Sequence, residues 1–116
     1  MKDIAVSPSI TIRQAMKILD KTAEKCLLIV DDNRNLLGTL TDGDLRRNIL
    51  DGKKFSEDIS DSYNTEPTVL VEGMYTVEGV TKLLRERKLN LIPIVDQHNV
   101  VVNYMTWGKM GSEGQR

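Results

Sequence analysis

Residues 11–45 slide onto residues 76–110 at a constant offset of 65, and no gap is needed anywhere in the match. In that register Thr11, Lys17, Leu19, Ile29, Val30, Asp31, Thr41 and Gly43 meet identical residues at Thr76, Lys82, Leu84, Ile94, Val95, Asp96, Thr106 and Gly108. Nearly all other inward positions keep their apolar class, as with Ile12 on Val77, Ala15 on Val80 and Leu40 on Met105. A gapless internal match limits the fold more than any single motif does. Copies this short cannot each bury a core alone, so the duplication predicts two units packed face to face about a pseudo-two-fold axis, with clefts occurring in pairs.

Within each copy the hydrophobic period changes in the same order. Ile4 and Val6 alternate with their neighbours as a short strand that stops at Ser7-Pro8. Ile12, Ala15, Met16 and Leu19 recur at helical spacing to about Lys21, with Thr11 and Gln14 spaced as a capping box. Cys26–Val30 reads as a strand, Asp31–Asn35 as a turn, and Leu36–Leu40 as the returning strand of a hairpin. A helix follows from about Gly43 to Leu50 and stops at Asp51-Gly52. Residues 53–66 are polar, with Phe55, Ile59 and Tyr63 as anchors, and read as a packed linker with a short helical turn around Ser56 to Ser60. The pattern then restarts with strand Thr68–Val71, a helix from Thr76 with Val77, Val80, Leu83 and Leu84 inward, strand Ile92–Val95, turn Asp96–Asn99 and strand Val100–Met105. The expected division is 1–52, first repeat; 53–66, linker; 67–110, second repeat; and 111–116, a flexible glycine-rich tail.

Composition removes several classes of function. Sixteen basic and seventeen acidic residues leave a net charge of −1, which argues against nucleic acid or a membrane surface as the main partner. No apolar run approaches the roughly 20 residues that span a bilayer. One cysteine, Cys26, lies inside an apolar run, and the start of the chain lacks an apolar segment of signal-peptide length; a reducing cytoplasm is the expected location. No paired carboxylates, metal cluster or activated nucleophile emerge, so no catalytic residue and no metal ligand is expected. His98 reads as a solvated turn residue and Cys26 as an inert core thiol.

The chemistry that remains gathers in Gly38-Thr-Leu-Thr-Asp-Gly-Asp-Leu-Arg-Arg47, where an apolar strand runs into hydroxyls and carboxylates ahead of a helix. Two readings apply. Thr41 and Asp44 stand at capping-box spacing and satisfy the helix start between them. Alternatively, the free N–H groups of that helix start seat a phosphate, with a hydroxyl beside it and a carboxylate for a sugar diol. Arg47 pairs with Asp44 at i, i+3 without any ligand, whereas Arg46 stays open as a counter-charge.

The tandem repeat, the Ser-Pro before the first helix, Ile92-Pro-Ile-Val-Asp96 and the Gly38-x-x-Thr41-x-x-Asp44 pattern together resemble a pair of cystathionine β-synthase (CBS) domains, the Bateman module, over residues of about 3 to 110. The fold implied is α+β, two β-α-β-β-α repeats about a pseudo-two-fold axis. The function implied is a regulatory module binding an adenosine nucleotide, with AMP, ADP or ATP as ligand and no obligatory cofactor. By position, Thr41 takes the phosphate and Asp44 the ribose, beside Gly38, while the base lies against Val69, Leu70, Asn90, Leu91, Ile92 and Pro93 of the other repeat. For Ile92 core packing is favoured over base contact; for Val69, Leu70 and Leu91 the two readings stand level.

Leu37–Arg47 further resembles the CBS pair found ahead of sugar-phosphate nucleotidyltransferases. No glycine-rich signature of such an enzyme is present, so this stretch of chain would be the regulatory part alone, acting on a nucleotidyltransferase domain in cis or in trans. CBS pairs commonly form homodimers, and a homodimer is expected here. The second copy departs from the pattern, with Asn103 for the glycine and Lys109 for the aspartate, so one competent site is expected, and the second cleft is either empty or takes a more anionic ligand at Thr106 and Lys109. Trp107, in the place of Asp42, either stacks on a ligand or covers a contact. The competing reading of the whole chain is an assembly module without a ligand, in which Thr41 and Asp44 only cap a helix.

Overall fold

The computed structural model describes residues 4–22 and 24–114, with the side chains of 111–114 outside the description. The chain divides into two compact units, Met1–Pro67 and Thr68–Arg116. The first contains β1 (Ala5–Val6), α1 (Ile12–Thr22), β2 (Cys26–Val30), β3 (Leu36–Thr41) and α2 (Asp42–Leu50). The second contains β4 (Leu70–Val71), α3 (Val77–Glu86), β5 (Leu91–Val95), β6 (Val101–Thr106) and α4 (Trp107–Gly114). Each unit holds a three-stranded sheet, in the orders β1-β2-β3 and β4-β5-β6, with its first pair parallel and its second antiparallel.

The duplication extends to hydrogen-bond register. Cys26 pairs with Thr41 and Leu27 with Leu40, and at offset 65 Leu91 pairs with Thr106 and Ile92 with Met105. A bulge interrupts both hairpins at the same step, Ile29/Val30 and Ile94/Val95. The turns share one mechanism: Asp31 Oδ1 accepts the N–H groups of Asn33 and Asn35, each at 2.9 Å, and Asp96 Oδ1 accepts those of His98 and Val100 at 2.8 and 3.0 Å. Each turn ends in a left-handed residue, Arg34 (φ 64°) and Asn99 (φ 67°). The parallel pairs differ by one step, since Ala5 lies opposite Leu28 whereas Leu70 lies opposite Ile94.

Four threonines start the four helices, as hydroxyls suit N-caps. Thr11 and Gln14 form a reciprocal box, and Thr41 and Asp44 form another. Thr76 and Thr106 accept from Gly79 N–H and Lys109 N–H, but neither Gly79 nor Lys109 has a side chain that accepts in return. In the core of the first unit Ile12, Ala15, Leu27, Leu28, Ile29 and Leu40 are fully buried, while Leu70, Val80, Leu84, Ile92, Ile94, Met105 and Met110 form one cluster in the second.

Three local expectations are corrected. No helical turn forms at Ser56 to Ser60; Asp58 instead makes an isolated antiparallel bridge with Thr11. Met16 and Val77, expected inward, are exposed, Val77 by 58%. The contrast between Val77 and its buried counterpart Ile12 has a cause in residues 53–66. In the first unit these residues form a strap: Ile12 N–H donates to Glu57 O at 2.9 Å, Ile59 N–H donates to Ile10 O at 3.0 Å, and Ile59 is fully buried.

Candidate functional site

The strap also explains Gly38. Thr39 and Asn64 exchange both backbone hydrogen bonds, at 3.0 and 2.8 Å, so the strap lies directly on β3. A Cβ on Gly38 would overlap the carbonyl oxygen of Asn64 and the Tyr63 ring. This glycine is demanded by a close backbone approach, and no ligand is needed to account for it.

At the end of β3 the chain enters α2 through a complete capping box. Asp44 N–H donates to Thr41 Oγ1 at 3.1 Å, and Thr41 N–H donates to Asp44 Oδ2 at 2.9 Å. The remaining oxygen, Oδ1, accepts from the Arg47 guanidinium, and Asp42 pairs with Arg46 at 3.2 Å on the surface. Asn48 ties the helix to the strap by donating from Nδ2 to Asp44 O at 2.9 Å and to Ser62 O at 3.4 Å. The capping arrangement and the Arg47 pair are thus both realised without a ligand.

Capacity remains at the same atoms. A hydroxyl that accepts one N–H still has its own proton to donate, so Thr41 can reach a phosphate oxygen. A carboxylate has about four acceptor positions, and Asp44 uses one on each oxygen. Its side chain is 21% exposed, which leaves it open to a diol from solvent.

Of the second-unit residues expected against a base, Val69 and Asn90 are exposed, whereas Leu70, Leu91, Ile92 and Pro93 are buried. Leu70 and Ile92 belong to the core cluster, so what they offer a ligand is backbone.

At the counterpart of the Gly38–Asp44 stretch, the second unit holds a different device. Asn103 Oδ1 accepts the N–H of Tyr104 at 2.8 Å, and Lys109 Nζ donates to Asn103 Oδ1 at 2.8 Å and to Tyr104 O at 2.9 Å. The ammonium also lies 4.0 Å from the centre of the Tyr104 ring. Tyr104 is the equivalent of Thr39, whose N–H and C=O the strap satisfies in the first unit. Asn103 and Lys109 therefore do with side chains what Asn64 does with backbone. Sequence reasoning took the two substitutions singly, as losses from a binding pattern, and missed that they act on one residue.

Other groups stand apart from this chemistry. Burial, reinforced by the nearby charge of Asp44, pushes the Cys26 thiol up to about 12. Trp107 is 44% exposed at the start of α4. A cleft of about 430 Å³ beside α1 is lined by Met16, Leu19 and Lys25 with three carboxylates, Asp20, Glu24 and Asp42, a poor lining for phosphate.

Comparison with known proteins agrees with the geometry. Residues 1–51 match the family model described as CBS domain. The inosine-5′-monophosphate dehydrogenase of Aquifex aeolicus is 25% identical over 103 residues, which are 89% of this chain and 21% of that protein. The chain spans less than a third of the length of the first curated relatives it matches. CBSX2, a CBS-pair protein of Arabidopsis thaliana, has been solved in complex with AMP; that structure superposes with a TM-score of 0.82 at 25% identity, covering 96% of this chain and 86% of that one. A CBS domain pair in complex with 5′-methylthioadenosine and S-adenosyl-L-methionine superposes with a TM-score of 0.81 at 26% identity, covering 97% and 91%. With two matching β-α-β-β-α units and a first unit that meets the family model, the chain has the fold of a CBS domain pair, the Bateman module.

Proposed function

We propose that the chain is a regulatory module that binds an adenosine nucleotide through Thr41 and Asp44. The observation that carries this reading is the unused capacity at the start of α2, a hydroxyl proton beside a part-exposed carboxylate at a helix N-terminus. Structures of similar fold that hold AMP, or 5′-methylthioadenosine with S-adenosyl-L-methionine, support the ligand class. In this reading Thr41 donates to a phosphate and Asp44 accepts from the ribose diol.

Regulation follows if AMP, ADP or ATP binds two arrangements of the module with different affinity. The regulated activity is a nucleotidyltransferase in cis or in trans, a reading supported by the Leu37–Arg47 stretch alone, and the module works as a cytoplasmic homodimer. At the second site Thr106 retains its hydroxyl. Lys109 spends two of its three ammonium donors on Asn103 and Tyr104 and has one left for a phosphate, which makes that site the weaker one.

A specific observation favours a second reading. Asp44 has both oxygens engaged within α2, as a residue that serves only as a cap would. In that case the chain is an assembly module without a ligand. Calorimetry with AMP, ADP and ATP on the parent chain, Thr41→Val and Asp44→Ala separates the two. Nucleotide binding that drops at least about tenfold in Asp44→Ala supports the regulatory reading. Absence of binding, or binding indifferent to Asp44→Ala, leaves the assembly module.

A further inference from the structure

The two units differ sharply where the backbone enters their first helix. In the first unit the strap lays a turn-rich segment across the start of α1: Ile12 N–H donates to Glu57 O at 2.9 Å, Arg13 N–H donates to Phe55 O at 3.1 Å, and Ile10 O accepts from Ile59 N–H. Ile59 supplies a buried aliphatic side chain to the same place. At offset 65 the corresponding groups are the N–H of Val77, the N–H of Glu78 and the carbonyl of Tyr75. Among the described residues none of these three has a hydrogen-bond partner. The edge at Tyr104 is sealed by Asn103 and Lys109, but among the described residues nothing comparable seals the start of α3.

What surrounds these groups is apolar and open. A cavity of about 580 Å³ is lined by Leu70, Met74, Tyr75, Gly79 and Leu83, and Met74 at its mouth is 80% exposed. Gly79 stands where Gln14 fills the equivalent place in the first unit. Charge is inverted as well. In the first unit the helix start carries Arg13, whose guanidinium lies 5.6 Å from the centre of the Phe55 ring of the strap; in the second, Glu78 replaces Arg13 and Glu72 replaces Ser7, and both glutamates are exposed. Two exposed carboxylates at the second place suit a basic occupant.

We propose that the start of α3 is a docking site for a basic, turn-forming segment of a partner protein. Two backbone carbonyls of the segment accept from Val77 and Glu78, an aliphatic side chain enters the cavity as Ile59 does in the first unit, and lysine or arginine side chains meet Glu72 and Glu78. The strap of the chain itself is the template for the occupant.

The test uses the full chain and a labelled peptide with the sequence of residues 53–64 carrying Glu57→Lys and Asp58→Lys. Anisotropy is expected to show saturable binding, with NMR amide shifts centred on Val77 and Glu78, and the unaltered 53–64 peptide is expected to bind about tenfold more weakly at low salt. Ile59→Asp in the peptide removes binding, and Glu78→Arg in the chain, a change on an exposed side chain, reverses the preference between the two peptides. No saturable binding, shifts centred elsewhere, or a preference that survives Glu78→Arg overturns the proposal.

Discussion

Lys109 donates a 2.8 Å hydrogen bond to Asn103, and the two side chains together close the exposed edge of β6 around Tyr104. The pair is interdependent, since Asn103 Oδ1 accepts from both the Tyr104 backbone and the ammonium. Asn103→Gly, which installs the residue of the first repeat, is expected to lower unfolding free energy by about 1–2 kcal/mol in urea titration. Lys109→Met alone is expected to cost about 1 kcal/mol, and the double variant less than the sum of the two.

Gly38 and Gly43 stand five residues apart and respond oppositely to a methyl group. Gly38→Ala drives a Cβ into Asn64 O and the Tyr63 ring, which must push the strap off β3; a loss of about 2–3 kcal/mol is expected. In Gly43→Ala the nearest atom to the new Cβ is on the Arg47 side chain at 3.6 Å, so stability is expected to hold or to rise by up to about 1 kcal/mol. Chemical denaturation of both variants checks the pair.

Acid weakens the fold through two turn carboxyls. The N–H groups of Val100 and then His98 hold the Asp96 carboxyl below its ordinary 3.8, and the hydroxyl and then the N–H of Ser60 do the same for Asp58. The folded state therefore releases these protons more readily than the unfolded one. Their contribution is complete above 3.8 and is lost as pH falls through the lowered values. Both groups lie in solvent, so the effect is small; Asp96→Asn, which still accepts the turn hydrogen bonds, is expected to flatten the decline of Tm between about pH 4 and pH 2.

With its thiol pushed up to about 12 and 4% exposed, Cys26 is expected to resist alkylation by iodoacetamide at neutral pH in the folded chain. Mass spectrometry is expected to show full modification after unfolding in urea and almost none before it. Rapid labelling of the native chain would contradict the burial of β2.

The two hairpins, the four capping threonines and the two Asp turns were legible because they depend on residues near one another in sequence. Thr41 and Asp44 were legible for the same reason, being three residues apart. What escaped was long-range. The strap binds β3 through Thr39 and Asn64, and no local pattern announces a pairing across that separation. The exposure of Val77 followed from it, because the same helical position is buried only where a strap covers it. Asn103 and Lys109 looked like two unrelated departures until both were seen to meet at Tyr104.

The strap also decides where the chain can be cut. A fragment ending at Gly52, where α2 stops, would expose Ile12 and the edge of β3 and forfeit Ile59, so it would not fold on its own terms. Any piece meant to keep the first unit whole has to run to Pro67, and in hydrogen exchange the amides of Ile12, Thr39, Ile59 and Asn64 should open as a single cooperative foldon.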